Sequence, residues 1–225
     1  MIYYQRLKGE IILKFLSRIM IYLIGILFLA LGGVLTIKSY LGATPVSLLP
    51  LSISRITNLQ LGTAAFLIFT LYVLIQILLL KKDFKPVQLL QILFGVLFGQ
   101  IMNFFNNLIQ INLDSMTMRI FLSFLGFILI AIGIVLTITP KIVPVAPDGI
   151  VQAIAIKSKL DFGKAKVYFD FAVFILAILL LFINDKSLEG VGIGTLLSAI
   201  FVGRIVAVVN TYCKKPLEKL MFDSL

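Results

Sequence analysis

The chain has 225 residues, 60% of them hydrophobic and only 13% charged, and its 20 Lys and Arg against 10 Asp and Glu give a net charge of +10. Soluble domains carry roughly a quarter charged residues, and at a mean hydropathy of +1.12 this chain lacks the polar surface to coat a water-soluble fold. It belongs in a lipid bilayer, where about 20 apolar residues make one span, so its length holds six spans and excludes a large aqueous domain.

With no His and a single Cys, the usual vocabularies of zinc sites, His acid/base catalysis and Cys/His nucleophiles are missing or one-sided. The expectation is a protein that is not an enzyme and carries no cofactor and no metal. Cys213 cannot form an internal disulfide, and beside Lys214 and Lys215 it reads as part of a reduced cytoplasmic tail. The basic excess flanks apolar spans and forms no separate domain, which points to membrane topology and away from nucleic acid.

In chain order, a basic N-terminal segment, residues 1–18, leads into a first span at Ile19–Ile37, too long for a signal peptide and without a cleavage site. The next segment, Thr44–Ile56, is helix-compatible, opens at Pro45 and is too short to cross. Such a segment is a re-entrant or interfacial half-helix. Spans follow at Thr63–Leu80 and Val87–Gln110, then an outer linker at 111–119 and a fourth span at Ile120–Ile138. A second half-helix, Ala146–Ile156, opens at Pro147 and is followed by spans at Val167–Ile183 and Val191–Val209 and a basic tail, 211–225.

Counting the half-helices as spans would flip the sidedness of the segments between them, so basic residues decide the number. Six spans with the N-terminus inside leave only Lys38, Arg55, Arg119 and Lys186 outside against fifteen inside, whereas eight spans give six against thirteen. The expected topology is six spans with both termini cytoplasmic.

A shift of 101 residues aligns Ala30–Ile37 with Ala131–Ile138 at six of eight positions, and also pairs Gly62 with Gly163 and Ala64 with Ala165. Three spans separate the copies, so the second enters the membrane from the opposite side. The predicted fold is therefore an all-α polytopic membrane protein: two inverted three-helix repeats, 19–110 and 120–210, each with a proline-headed half-helix after its first span. Transporters of this plan bind their substrate near the midplane where the halves meet.

The candidate site residues follow from that plan. Pro45 and Ser47, and Pro147 and Asp148, open the two half-helices, where backbone amides and short polar side chains sit at a dip into the membrane. These residues either face one shared cavity or cap turns at the surfaces. In the third span, Gln100, Asn103 and Asn107 share a face; amides there bond between helices or line a path, and Asn103 is carried as a substrate-binding candidate. Gly95 and Gly99 read as close helix packing. Asp170 and Arg204 fall at similar depth in the fifth and sixth spans, which predicts a buried charge pair with a structural, substrate or proton role.

The chain resembles the YczE/YyaS/YitT group of bacterial membrane proteins from about Gly25 to Asn210. The resemblance rests on Gly32-x-x-Leu35-x-Ile37 with Leu41-Gly42-Ala43-Thr44-Pro45, on Pro147-Asp148-Gly149, and on Gly192-Ile193-Gly194-Thr195-Leu196 with Gly203. Members often carry an acid soon after the first proline, where this chain has Ser47, and a proline after the late glycine, where it has Arg204. Their basic residue four before an acid early in the fifth span is matched by Lys166 and Asp170. The resemblance implies a multi-pass protein of the bacterial cytoplasmic membrane. The functional expectation is a small-molecule permease or secondary carrier with its site between the half-helices; the alternative is an accessory protein that supports another membrane protein and moves nothing. The bilayer and a small-molecule substrate are the expected partners, with a second membrane protein or a second copy left open.

Overall fold

A computed structural model of the chain describes residues 2–111, 113–188 and 190–222, with side chains from Ile12 onward. The described residues form eight α-helices and no strand: α1 (Ile2–Lys38), α2 (Pro45–Thr57), α3 (Leu61–Leu80), α4 (Leu90–Leu108), α5 (Met116–Ile138), α6 (Ala146–Ser158), α7 (Phe162–Ile183) and α8 (Ile193–Phe222). Six of them are long and apolar enough to cross a membrane, and α2 and α6, at 13 residues each, are not. This is the expected all-α, six-span architecture.

Two helices outrun their expected limits. α1 already runs from Ile2, and α8 continues through Pro216 to Phe222. Pro216 lies inside the helix at a position whose missing N–H would have faced the carbonyl of Tyr212, a residue that is exposed. The tail is held against the bundle by Lys141, which pairs with Glu218 at 3.8 Å, and by Arg18, whose guanidinium lies over the Phe222 ring and bonds the Pro140 carbonyl at 2.8 Å.

The 101-residue repeat reappears in the backbone. Pro45–Thr57 maps onto Ala146–Ser158 end for end, and the extended caps Thr44 and Val145 share φ near −60° and ψ near 150°. The left-handed residues also correspond: Tyr40 with Lys141, and Asn58 with Lys159, all with φ between 54° and 58°. Each pair reverses the chain on either side of a half-helix.

The two halves meet along α1 and α5, which cross antiparallel. A Cβ on Gly32 would lie 2.7 Å from the Gly126 carbonyl, and one on Gly133 would lie 2.9 Å from the Gly25 carbonyl. Because Gly25 maps onto Gly126 and Gly32 onto Gly133 in the repeat, these are two copies of one contact, related by a two-fold axis. Four glycines let the backbones touch, the small-residue packing that membrane helices use where burial supplies no drive. The same axis exchanges α2 against α7 with α6 against α3. The halves are inverted copies, as the repeat predicts.

Contacts at the two ends join neighbouring connections of the chain. Lys157 pairs with Asp83 at 3.7 Å, while at the other end Arg55 bonds the Ser187 carbonyl and Arg119 lies over the Tyr40 ring.

Candidate functional site

Each half-helix begins inside the bundle. Proline near its first position supplies a helical φ and needs no acceptor, and the six residues Ser47–Ser52 of α2, like most of α6 from Ala146 to Ala155, are buried. The segment before α2 is pinned to the start of α8: Ala43 N–H bonds the Gly190 carbonyl at 2.7 Å and Gly194 N–H the Leu41 carbonyl at 2.8 Å. Gly149 lets α6 lie against Gln76 and Gln91, which bond each other reciprocally at 3.0 and 3.1 Å; a Cβ there would sit 2.7 Å from the Gln91 amide oxygen.

The two starts open into one cavity of about 570 Å³, lined by Thr44, Pro45, Val46 and Ser47 from α2 and its cap and by Ala146, Pro147 and Asp148 from α6. Its size lies within the range of small-molecule sites, roughly 300 to 1,000 Å³. Four of the candidate residues, Pro45, Ser47, Pro147 and Asp148, thus face shared space. Their amides are less available than the sequence suggests. Ser47 and Leu48 N–H both bond the Thr44 carbonyl, and Asp148 and Gly149 N–H both bond that of Val145, while Val46 and Ala146 find no backbone acceptor among the described residues. Thr44 Oγ1 donates to Ser47 Oγ at 3.0 Å.

The charges lie on one wall. Lys166 Nζ donates to Asp170 Oδ1 at 3.0 Å, four residues on along α7, and stands 3.7 Å from Asp148 Oδ1 across the gap to α6. All three side chains are less than 30% exposed and line the cavity. Two carboxylates facing one ammonium leave a formal excess of one negative charge. The rest of the lining is predominantly apolar, with Phe69, Phe94, Phe98, Phe162, Phe171 and Phe174 among it.

Two expectations are corrected. Asp170 does not pair with Arg204: its partner is Lys166, while Arg204 is exposed and bonds no carboxylate among the described residues. Equal depth says nothing of azimuth, and a partner four residues away on the same helix is always within reach. Asn103 does not line the cavity. It is buried in the α3–α4 contact, where Oδ1 accepts the Gly62 N–H at 2.6 Å and Nδ2 donates to Gln60 Oε1 at 2.9 Å. Lys166, Gln91 and the Phe wall were not singled out as site residues; a lysine four before an aspartate inside a span was the available signal for the first.

Around the cavity the two halves differ. α3 and α4 are sealed: a Cβ on Gly62 would run into the Gly99 carbonyl, and Asn103 bolts the contact. In the second half Gly99 becomes Ile200, Asn103 becomes Arg204 and Gln60 becomes Asp161. There α7 packs on α2 and α6, and α8 on α5 and α1, with the cavity between them. Val167, Phe171 and Leu196 line that cavity yet are more than 60% exposed, so it opens out of the bundle between α7 and α8.

The chain belongs to the DUF6198 family, a family of unknown function, which it matches over residues 16–211. No curated protein matches it. No solved structure does either.

Proposed function

We propose that this DUF6198 protein is a small-molecule permease of the secondary-carrier type, seated in a bacterial cytoplasmic membrane with both termini inside. The observation that carries this reading is one cavity between two inverted repeats, sealed along α3–α4 and open along α7–α8. Inverted repeats can exchange their conformations, so that each half in turn adopts the form of the other and access alternates around a fixed site. With the termini inside, the sealed Gly62–Gly99 contact lies toward the outside and the open seam toward the cytoplasm. In the exchanged form α8 closes on α7, Ile200 meets Gly163, and Arg204 reaches Asp161 as Asn103 now reaches Gln60. The resemblance to the YczE/YyaS/YitT group implies the same membrane and adds no substrate.

The test is flux through purified protein in sealed vesicles, offered a panel of labelled amines, carboxylates and amino acids. Cysteines at Gly163 and Ile200 in a Cys213→Ser background should cross-link, stop flux and release it on reduction. An accessory protein moves no solute under any condition, and that result overturns the reading.

A further inference from the structure

We infer that the cavity takes an organic cation, an amine or quaternary ammonium or phosphonium centre on an aromatic or branched aliphatic body, with its charge at Asp148; this rests on the permease reading above. The argument begins with charge. Within the lining, Asp148 and Asp170 face Lys166 alone. Lys166 and Asp170 satisfy each other through a hydrogen bond of 3.0 Å on one helix, whereas the 3.7 Å separation to Asp148 is beyond hydrogen-bond length. Of the two, Asp148 is therefore the carboxylate without a closely bonded cation among the described residues, and its side chain is 18% exposed. A charge in so apolar a setting needs a counter-charge or water.

The opposite half offers nothing to balance it. At the positions that correspond to Asp148, Lys166 and Asp170 stand Ser47, Ala65 and Phe69, so the second half supplies charge and the first a hydroxyl and a ring. An anion entering from the α2 side would find two first-turn amides already bonded to Thr44 and two carboxylates across the cavity. A cation finds one excess negative charge and six phenylalanines whose rings attract cations. The apolar remainder of the wall selects a ligand whose charge is buried in hydrocarbon over a strongly hydrated inorganic ion.

The experiment uses two ions of matched shape and opposite sign. Equilibrium binding of labelled tetraphenylphosphonium and tetraphenylborate is measured on purified full-length protein in nanodiscs, with empty nanodiscs subtracted. The phosphonium should bind saturably and at least tenfold more tightly than the borate. Asp148→Asn should weaken it at least tenfold without moving the thermal midpoint by more than a few degrees. Equal binding of the two ions by the unaltered protein overturns the inference and depends on no variant; so does Asp148→Asn binding that matches the parent. Saturable phosphonium binding without flux of any solute would uphold the ligand assignment and overturn the permease reading. Flux of another solute class without phosphonium binding would do the reverse.

Discussion

The α3–α4 and α7–α8 seams occupy equivalent places in two copies of one fold, yet one is closed by backbone contact and the other stands open over a cavity. A few substitutions account for the difference. Where the first half has Gly95, Gly99 and Asn103, the second has Leu196, Ile200 and Arg204. Glycines allow carbonyl contact that Leu and Ile refuse, and an amide can sit dry between helices where a guanidinium would need a counter-charge. The first seam is built to rest closed and the second to rest open. A small-residue seam stabilises through close packing, so its loss should be felt in stability; the open seam should be felt in exchange between forms.

The largest effect expected on the charged wall is that of Lys166→Met, which leaves Asp148 and Asp170 facing each other. Breaking a buried ion pair costs about 3 to 5 kcal/mol, and with the side chains 18 to 28% exposed the loss should fall at about 3 kcal/mol. Denaturant unfolding in detergent measures it. In a double-mutant cycle Lys166 and Asp170 should couple by more than about 0.5 kcal/mol, while Asp170 and Arg204 should add independently.

Next come the two seam glycines. Gly62→Ala forces α3 away from the Gly99 carbonyl and should destabilise by about 1 to 3 kcal/mol. Gly163→Ala, whose new Cβ would meet only the Asp161 carboxylate at 3.0 Å, should change stability by less than about 0.5 kcal/mol. Equal losses at the two glycines would erase the contrast between the seams.

Smaller still is the pair Asn103 and Arg204. Asn103→Ala strands the buried Gly62 amide and removes the bond to Gln60, a loss of about 1 kcal/mol. Arg204→Ala should leave the thermal midpoint in place, because Arg204 is exposed here, yet should slow flux if Arg204 meets Asp161 in the exchanged form. A stability loss at Arg204 as large as that at Asn103 would contradict this assignment.

Much of the fold was legible in the residues. Hydropathy placed the six spans, and Pro45 and Pro147 marked helices too short to cross. Gly32, Gly133, Gly62 and Gly163 carried the repeat through segments where Leu and Ile match by chance. Positive-residue counting puts Lys157 on the side of Lys81, Lys82 and Lys85, and Arg55 on the side of Lys186; in the structure Lys157 pairs with Asp83 and Arg55 bonds the Ser187 carbonyl, next to those residues in the chain. The site was less legible because periodicity gives depth along a helix and not the neighbour it faces. Depth alone matches Asp170 to Arg204, and Asn103 reads as a substrate contact because an amide in a span looks the same whether it packs or lines. The six phenylalanines of the cavity could not be separated from the chain's other thirteen by spacing, since aromatic residues crowd lipid-facing and cavity-facing positions alike.

The central claim is that the two seams exchange states around the one cavity, and paired spin labels test it most directly. Labels at Lys164 and Val208 span the open seam, and labels at Thr63 and Asn107 occupy the corresponding positions across the sealed one. In nanodiscs, with and without tetraphenylphosphonium, each pair should show two distances. The shorter distance across 164–208 should match the resting separation of 63–107, and the population that shortens one pair should lengthen the other. A single unchanged distance for both pairs under every condition would contradict the account.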